Sequence, residues 1–171
     1  MEKIVRFLFE AGSLKLVPRS GWLKIGIREP ESVAEHSFRT ALVAFIIAKV
    51  ETGDENKAMK AAFFALIHDL HESRTLDLHR VAKRYTTVDS EKVRREQLKV
   101  LEIEEGEDVK DFVEDADKIE LLLQAKEYSE QFPSAMIYAK KLEFKTNTAN
   151  KLAELIRKSD HRWWLDFEVH M

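Results

Sequence analysis

The chain has 171 residues, with 28 Lys and Arg against 31 Asp and Glu, a formal net charge of −3 and no cysteine. This charge argues against a protein that coats nucleic acid or an anionic membrane, and the missing thiols exclude disulfide scaffolds, thiolate zinc sites and cysteine nucleophiles. No apolar run reaches the roughly 18 residues of a membrane span, and Met1-Glu2-Lys3 lacks a signal-peptide layout, so the expectation is one soluble, cytoplasmic domain.

The periodicity is helical almost throughout. A first short helix is expected over Glu2–Ala11. Pro18, Gly21, Gly26 and Pro30 make Ser13–Glu31 the longest irregular stretch. Ser32 reads as an N-cap with Glu35 completing a capping box. The helix it starts carries Phe38, Ala41, Leu42, Phe45 and Ile46 at helical spacing, and Gly53 ends it. A third helix is expected from about Asp54 to Glu72, with Ala58, Ala61, Ala62, Ala65 and Leu66 as its seam. Phe63, Phe64 and Ile67 leave it almost no polar face, so it reads as central and buried. Ser73–Val88 reads as irregular or briefly helical. Asp89 or Ser90 starts a charged amphipathic helix to about Glu104. After Gly106 a long helix follows, with Val109, Phe112, Val113, Ala116, Ile119 and Leu123 as its seam. Pro133 breaks it, and a last long helix is expected over roughly Ser134–Arg157. No segment alternates with period two over a useful length. The fold class is therefore all-α, a single-domain helical bundle.

Polar residues on apolar helices stand out. His68-Asp69 follows Phe63-Phe64-Ala65-Leu66-Ile67, His36 precedes an apolar seam, and Asp117 lies between Ala116 and Ile119. Singly, each has an ordinary explanation as a satisfied core histidine or a solvated carboxylate. Together they supply two imidazoles and two carboxylates from three helices. That set suits one divalent first-row metal (Mn2+, Fe2+, Co2+, Ni2+ or Zn2+) with positions left for water and substrate. On a helix His68 and Asp69 would stand about 100° apart and flank one ion. Glu72, one turn on, stands on the same side and is a natural general acid or base.

These residues give the chain its resemblance to the HD-domain metal-dependent phosphohydrolases, whose signature is a His, a His-Asp pair and a distant Asp. It most resembles their 5′-deoxynucleotidase branch. Pro18-Arg19-Ser20-Gly21-Trp22 leads through Arg28-Glu29-Pro30-Glu31-Ser32-Val33-Ala34-Glu35 to His36. His68-Asp69-Leu70-His71-Glu72 precedes Asp77, and Asp117 opens Asp-Lys-Ile-Glu-Leu-Leu-Leu-Gln-Ala-Lys-Glu-Tyr. The resemblance covers about residues 1–130. It implies an HD-type bundle whose metal site is built from about residues 32–120, with a C-terminal helix and tail over 134–171. It also implies hydrolysis of nucleoside 5′-monophosphates. His36, His68, Asp69 and Asp117 would hold the metal. Glu72 would protonate the leaving ribose oxygen or steer water, and Asp77 would accept from the 3′-hydroxyl. Trp22 would pack on the sugar and crowd out a 2′-hydroxyl. Arg19 would orient the phosphate, although Gly21, not an arginine, precedes Trp22, and Arg28 competes for that role.

Blander expectations stand beside these. His71 reads as a neighbour of the ligands rather than a ligand, His79 as a candidate for a second metal that lacks enough partners, and His161 and His170 as surface residues. Trp163-Trp164 reads as core or, preferably, as the interface of a homodimer. The acidic stretch Glu102–Glu120 reads as a solvated face apart from Asp117. Lys83-Arg84 and Lys92 with Arg94-Arg95 read as salt-bridged surface. The alternatives are an HD hydrolase of triphosphates or cyclic dinucleotides, and a metal-stabilised helical binding module without turnover.

Overall fold

The computed structural model describes residues 1–104 and 106–168. Among these residues there is no strand, only an isolated antiparallel bridge between Pro18 and Ser32. The α-helices are α1 (Glu2–Gly12), α2 (Ser20–Leu23), α3 (Val33–Thr52), α4 (Glu55–Leu66), α5 (Glu72–Thr75), α6 (Ser90–Leu101), α7 (Lys110–Tyr128), α8 (Asn147–Lys158) and α9 (Leu165–Glu168). None is long and apolar enough to cross a membrane.

The central helix α3 begins as its sequence dictates. The Ser32 hydroxyl accepts from the Glu35 N–H, and the Glu35 carboxylate accepts from the Ser32 N–H. At its end Gly53 adopts φ 72° and returns its N–H to the Lys49 carbonyl, a left-handed conformation that glycine reaches without a side-chain clash. α3 packs against α4 and α7, and α8 closes over α7. The main core joins Ala44, Ile47 and Ala48 of α3 to Ala58, Ala61 and Ala65 of α4 and Ala116, Ile119 and Leu122 of α7. Alanines on both sides of the α3–α4 contact let the two backbones approach closely. A smaller cluster of Phe7, Leu14, Val17, Val33 and Leu70 ties α1 to the chain on either side of the site.

Three expectations are corrected here. The buried face of α3 is Val33, His36, Ser37, Thr40, Val43, Ala44 and Ile47, whereas Phe38 is 63%, Leu42 52% and Ile46 48% exposed. Ala41 and Phe45 of the expected seam pack against the main core, whereas its other members point outward because the innermost face carries the site's polar groups. Second, α4 stops at Leu66, not Glu72, and it is not buried all round, since Met59, Phe63 and Leu66 are exposed. Beyond Leu66 the chain tightens into i→i+3 bonds, Leu70 N–H to Ile67 and Glu72 N–H to Asp69. Third, residues 134–157 are not one helix. A 3-10 turn over Pro133–Ile137 is followed by an irregular link to α8. That link is fixed from a distance: buried Asp115 accepts from the N–H groups of Lys145 and Thr146 and from the Thr146 hydroxyl. Thr146 then caps α8 through the Ala149 N–H.

Candidate metal centre

The site forms where three elements converge. The Pro18–Ser32 bridge, with Arg19 N–H to Glu31 and Val33 N–H to Val17, fixes Arg19 beside the start of α3. α3 contributes His36. The tightened turn after α4 contributes His68 and Asp69, and α7 contributes Asp117. In such a turn successive side chains stand about 120° apart, wider than in an α-helix.

The four polar ends meet. His36 Nε2 lies 3.1 Å from Asp117 Oδ1, 3.7 Å from Asp69 Oδ2 and 3.4 Å from His68 Nε2. His68 Nε2 lies 3.2 Å from Asp69 Oδ2 and 3.8 Å from Asp117 Oδ1. Each imidazole has its other nitrogen engaged: His36 Nδ1 with Glu120 Oε2 and His68 Nδ1 with the Ala65 carbonyl, both at 2.6 Å. The Ala65 carbonyl is one that a helix end leaves without an α-helical partner. Both Nε2 atoms are thereby directed at the shared centre, the arrangement in which an outer partner sets the tautomer and orientation of a ligating histidine.

Electrostatics agree with a centre that calls for positive charge. Burial opposes ionisation of Asp69, yet His68 and then Arg19 hold its carboxyl below the usual range. Burial likewise opposes Asp117, which hydrogen bonds with His36 and His68 hold well below that range. Burial disfavours charge on both imidazoles, but Asp69 and Asp117 raise His68 well above an ordinary histidine, and Asp117 and Glu120 raise His36. Two imidazole nitrogens and two ionised carboxylates around a cation-seeking centre match the donor set of a divalent transition metal.

Glu120, which the sequence did not reveal, holds His36 from behind. It is 1% exposed, and its Oε1 accepts from Arg39 Nε at 3.0 Å and Nη2 at 2.9 Å. Arg39 also reaches Glu127 and Gln124. With buried Asp115, Glu120 corrects the expectation that only Asp117 is special in this acidic stretch. The available signal was its place three residues after Asp117, beside Ile119 and Leu122.

A cavity of about 610 Å3 opens on the centre, lined by Arg19, Trp22, Asp69, Glu72, Asp77 and Asp117 among others. Glu72 is buried, and its Oε2 has no hydrogen-bond partner. Burial, then Asp69 and Asp77, push its carboxyl up to about 8. Asp77 accepts the Ser20 N–H at 2.7 Å through Oδ2. Just before it, Leu76 sits at φ 62°, a backbone conformation that side chains resist and that turns Asp77 back toward α2. Arg19 Nη1 pairs with Asp69 at 3.0 Å and Nη2 approaches Asp117 at 3.9 Å. Trp22 donates its indole N–H to Glu31 at 3.0 Å and meets Tyr128 and Tyr138 edge-on.

The other candidates fall outside the four-donor cluster. Arg28 is exposed and lines a separate cleft with Glu29, Glu127 and Tyr128. His71 groups with Asp69 and Glu72. His79 lines the cavity and accepts the Ala82 N–H through Nδ1. Lys83 also lines it, rather than the outer surface alone. His161 is half-buried against Trp164, and His170 lies outside the described residues. Trp163 is exposed, not core.

The HD domain profile matches residues 11–110. The 5′-deoxynucleotidase HDDC2 of Dictyostelium discoideum is 32% identical over 155 residues, covering 77% of this chain and 80% of that protein. Among solved structures, one designated genomics APC5600 superimposes with a TM-score of 0.91 at 49% identity, covering 96% of this chain and 99% of that one. The coding region AF1432 of Archaeoglobus fulgidus gives a TM-score of 0.79 at 44% identity, covering 96% and 100%. The chain belongs to the HD-domain phosphohydrolases, in their 5′-deoxynucleotidase branch.

Proposed function

We propose that this protein removes the 5′-phosphate from deoxynucleoside 5′-monophosphates, giving the deoxynucleoside and inorganic phosphate. The observation that carries the reading is Glu72: a buried carboxyl without a partner, facing the same cavity as Asp69, Asp117, Trp22 and Asp77. The family membership and the deoxynucleotidase relative support the same reaction.

In this reading His36, His68, Asp69 and Asp117 hold one divalent first-row metal. When bound, the metal supplies Lewis-acid charge to the phosphate and lowers the pKa of water. Arg19, held charged by Asp69 and Asp117 against the cost of burial, offers its fork of donors to the phosphate oxygens. A water oxygen bonds to phosphorus, the P–O5′ bond breaks, and O5′ takes its proton from Glu72. The proton lost by the water restores Glu72, so the products balance as alcohol and hydrogen phosphate. Glu72 fits the donor's part because its environment keeps the proton on at neutral pH. Asp77 receives the 3′-hydroxyl, and Trp22, fixed by Glu31 and two tyrosines, forms the wall that disfavours a 2′-hydroxyl.

The proposal extends to a homodimer. Its support is the outward stripe Phe38, Leu42 and Ile46 and, separately, exposed Trp163 and Phe167, whose rings lie 6.0 Å apart, since exposed apolar side chains grouped on a surface mark contact sites. Sedimentation at micromolar protein should give twice the chain mass; a monomer refutes this part.

Phosphate release from a panel of ribo- and deoxyribonucleoside 5′-monophosphates, with Mn2+, Co2+ or EDTA, tests the activity. Metal-dependent release that favours the deoxy series is expected. No release from any monophosphate by metal-loaded protein refutes the proposal and directs attention to triphosphates and cyclic dinucleotides.

A further inference from the structure

A second, smaller cavity of about 210 Å3 reaches the same centre, lined by Phe64, His68, Arg94, Lys110, Glu114 and Asp117 among others. It meets the larger cavity at Asp117. On α7, Lys110, Val113, Glu114 and Asp117 follow i, i+3, i+4, i+7 and form one stripe, which Leu121 of the larger cavity continues a turn further on. The small cavity therefore lies toward the N-terminal end of α7 from Asp117, and the large one toward its C-terminal end. The chain leaving α4 divides the same way: Phe64 and His68 face the small cavity, Asp69 and Glu72 the large one. The ligand cluster stands between the two.

The charges in the small cavity are unequal. Glu114 pairs with Lys145 at 2.9 Å, and Lys110 approaches Glu107, a further lining residue, at 3.5 Å. Arg94 is half-buried and makes no ion pair among the described residues. Among the described residues it is the one cation lining this cavity, which opens on His68 and Asp117, that no ion pair holds.

Phosphoryl transfer places the incoming and departing oxygens roughly in line across phosphorus. Glu72, Asp77 and Trp22 assign the departing nucleoside to the large cavity. The opposite side of phosphorus then faces the ligand cluster and, beyond it, the small cavity, so an anion held there would not compete with a nucleoside for space. We propose that the small cavity is a separate binding site for inorganic phosphate, held by Arg94, that stays open while a nucleoside occupies the large one. This rests on the nucleotidase reading for what occupies the large cavity, but the site itself is measurable without turnover.

The experiment is calorimetric titration of inorganic phosphate into the Co2+-loaded full-length protein, alone and saturated with a deoxynucleoside. Wild type, Arg94→Ala and Arg94→Lys are compared. Arg94→Ala should weaken phosphate binding about tenfold, which is about 1.4 kcal/mol, and leave deoxynucleoside affinity as it is. Arg94→Lys, which keeps the charge but not the planar fork, should fall between. Saturating deoxynucleoside should leave phosphate affinity in the wild type unchanged. Phosphate binding indifferent to Arg94, equal loss of phosphate and deoxynucleoside affinity, or exclusion of phosphate by the deoxynucleoside would each overturn the proposal. Absence of hydrolysis in the same preparation counts against the nucleotidase reading alone, and the Arg94 titration then decides the site by itself.

Discussion

Replacing Glu120 probes how the centre is held, because Glu120 touches no part of the cavity yet orients one of its histidines. In the wild type its carboxylate lies 2.6 Å from His36 Nδ1 and accepts two bonds from Arg39. Glu120→Gln keeps the volume and one acceptor but removes the charge that fixes the His36 tautomer. Losing such an outer partner weakens metal binding about 10–100-fold, or roughly 1.4–2.8 kcal/mol. Breaking a buried ion pair by removing one partner costs about 3–5 kcal/mol of stability. Here Arg39 keeps Glu127 and Gln124 and is 26% exposed, so the expected loss is smaller, about 1–2 kcal/mol. Calorimetric titration with Co2+ reads the affinity, and thermal melting of the metal-free protein reads the stability. A Glu120→Gln protein that binds Co2+ within about twofold of wild type would refute the orienting role.

Four further outcomes follow from the geometry. Glu72→Gln should lower kcat by about 10²–10⁴-fold while Co2+ binding persists; equal loss of both would make Glu72 a ligand rather than an acid. Asp115→Ala strips the Lys145 and Thr146 N–H groups of their buried acceptor and should cost about 3 kcal/mol in a denaturant melt, with little change if the α8 link is held elsewhere. A Cβ on Gly106 would lie 2.4 Å from the Phe64 ring, so Gly106→Ala should destabilise by about 1–3 kcal/mol through overpacking, read as a lowered Tm. Glu10, whose carboxyl is lowered chiefly by its hydrogen bond from Arg74, should contribute stability above the ordinary glutamate value that is lost as pH falls through its depressed one. Glu10→Gln should flatten that acid limb in melts across pH.

The local signals in the chain carried far. Ser32 with Glu35 and Gly53 mark both ends of α3 because capping chemistry is confined to a few neighbouring residues. His36, His68, Asp69 and Asp117 stood out because polar residues interrupt apolar runs. What escaped the sequence depends on distant partners. Glu120 and Asp115 look like solvated acids until Arg39 and the 145–146 backbone close on them. Of the α3 seam Phe38, Ala41, Leu42, Phe45 and Ile46, only Ala41 and Phe45 pack against the core, because the most buried face also carries His36, Ser37 and Thr40. The end of α4 is not legible in the sequence because nothing in Ile67-His68-Asp69 breaks a helix; the tighter turn is instead accompanied by the bond between the His68 ring and the Ala65 carbonyl. Arg28, close to the site in sequence, stands on another cleft because the irregular stretch from Lys24 to Pro30 carries it away.

The central claim is that one metal, held by His36, His68, Asp69 and Asp117, serves the reaction. The most direct measurement is a titration of metal-free protein with Co2+ while phosphate release from a deoxynucleoside 5′-monophosphate is followed. The account predicts a linear rise to a plateau at one equivalent per chain, and no rise for Asp117→Ala. Activity that survives in EDTA, or a plateau for Asp117→Ala equal to that of the wild type, would contradict it.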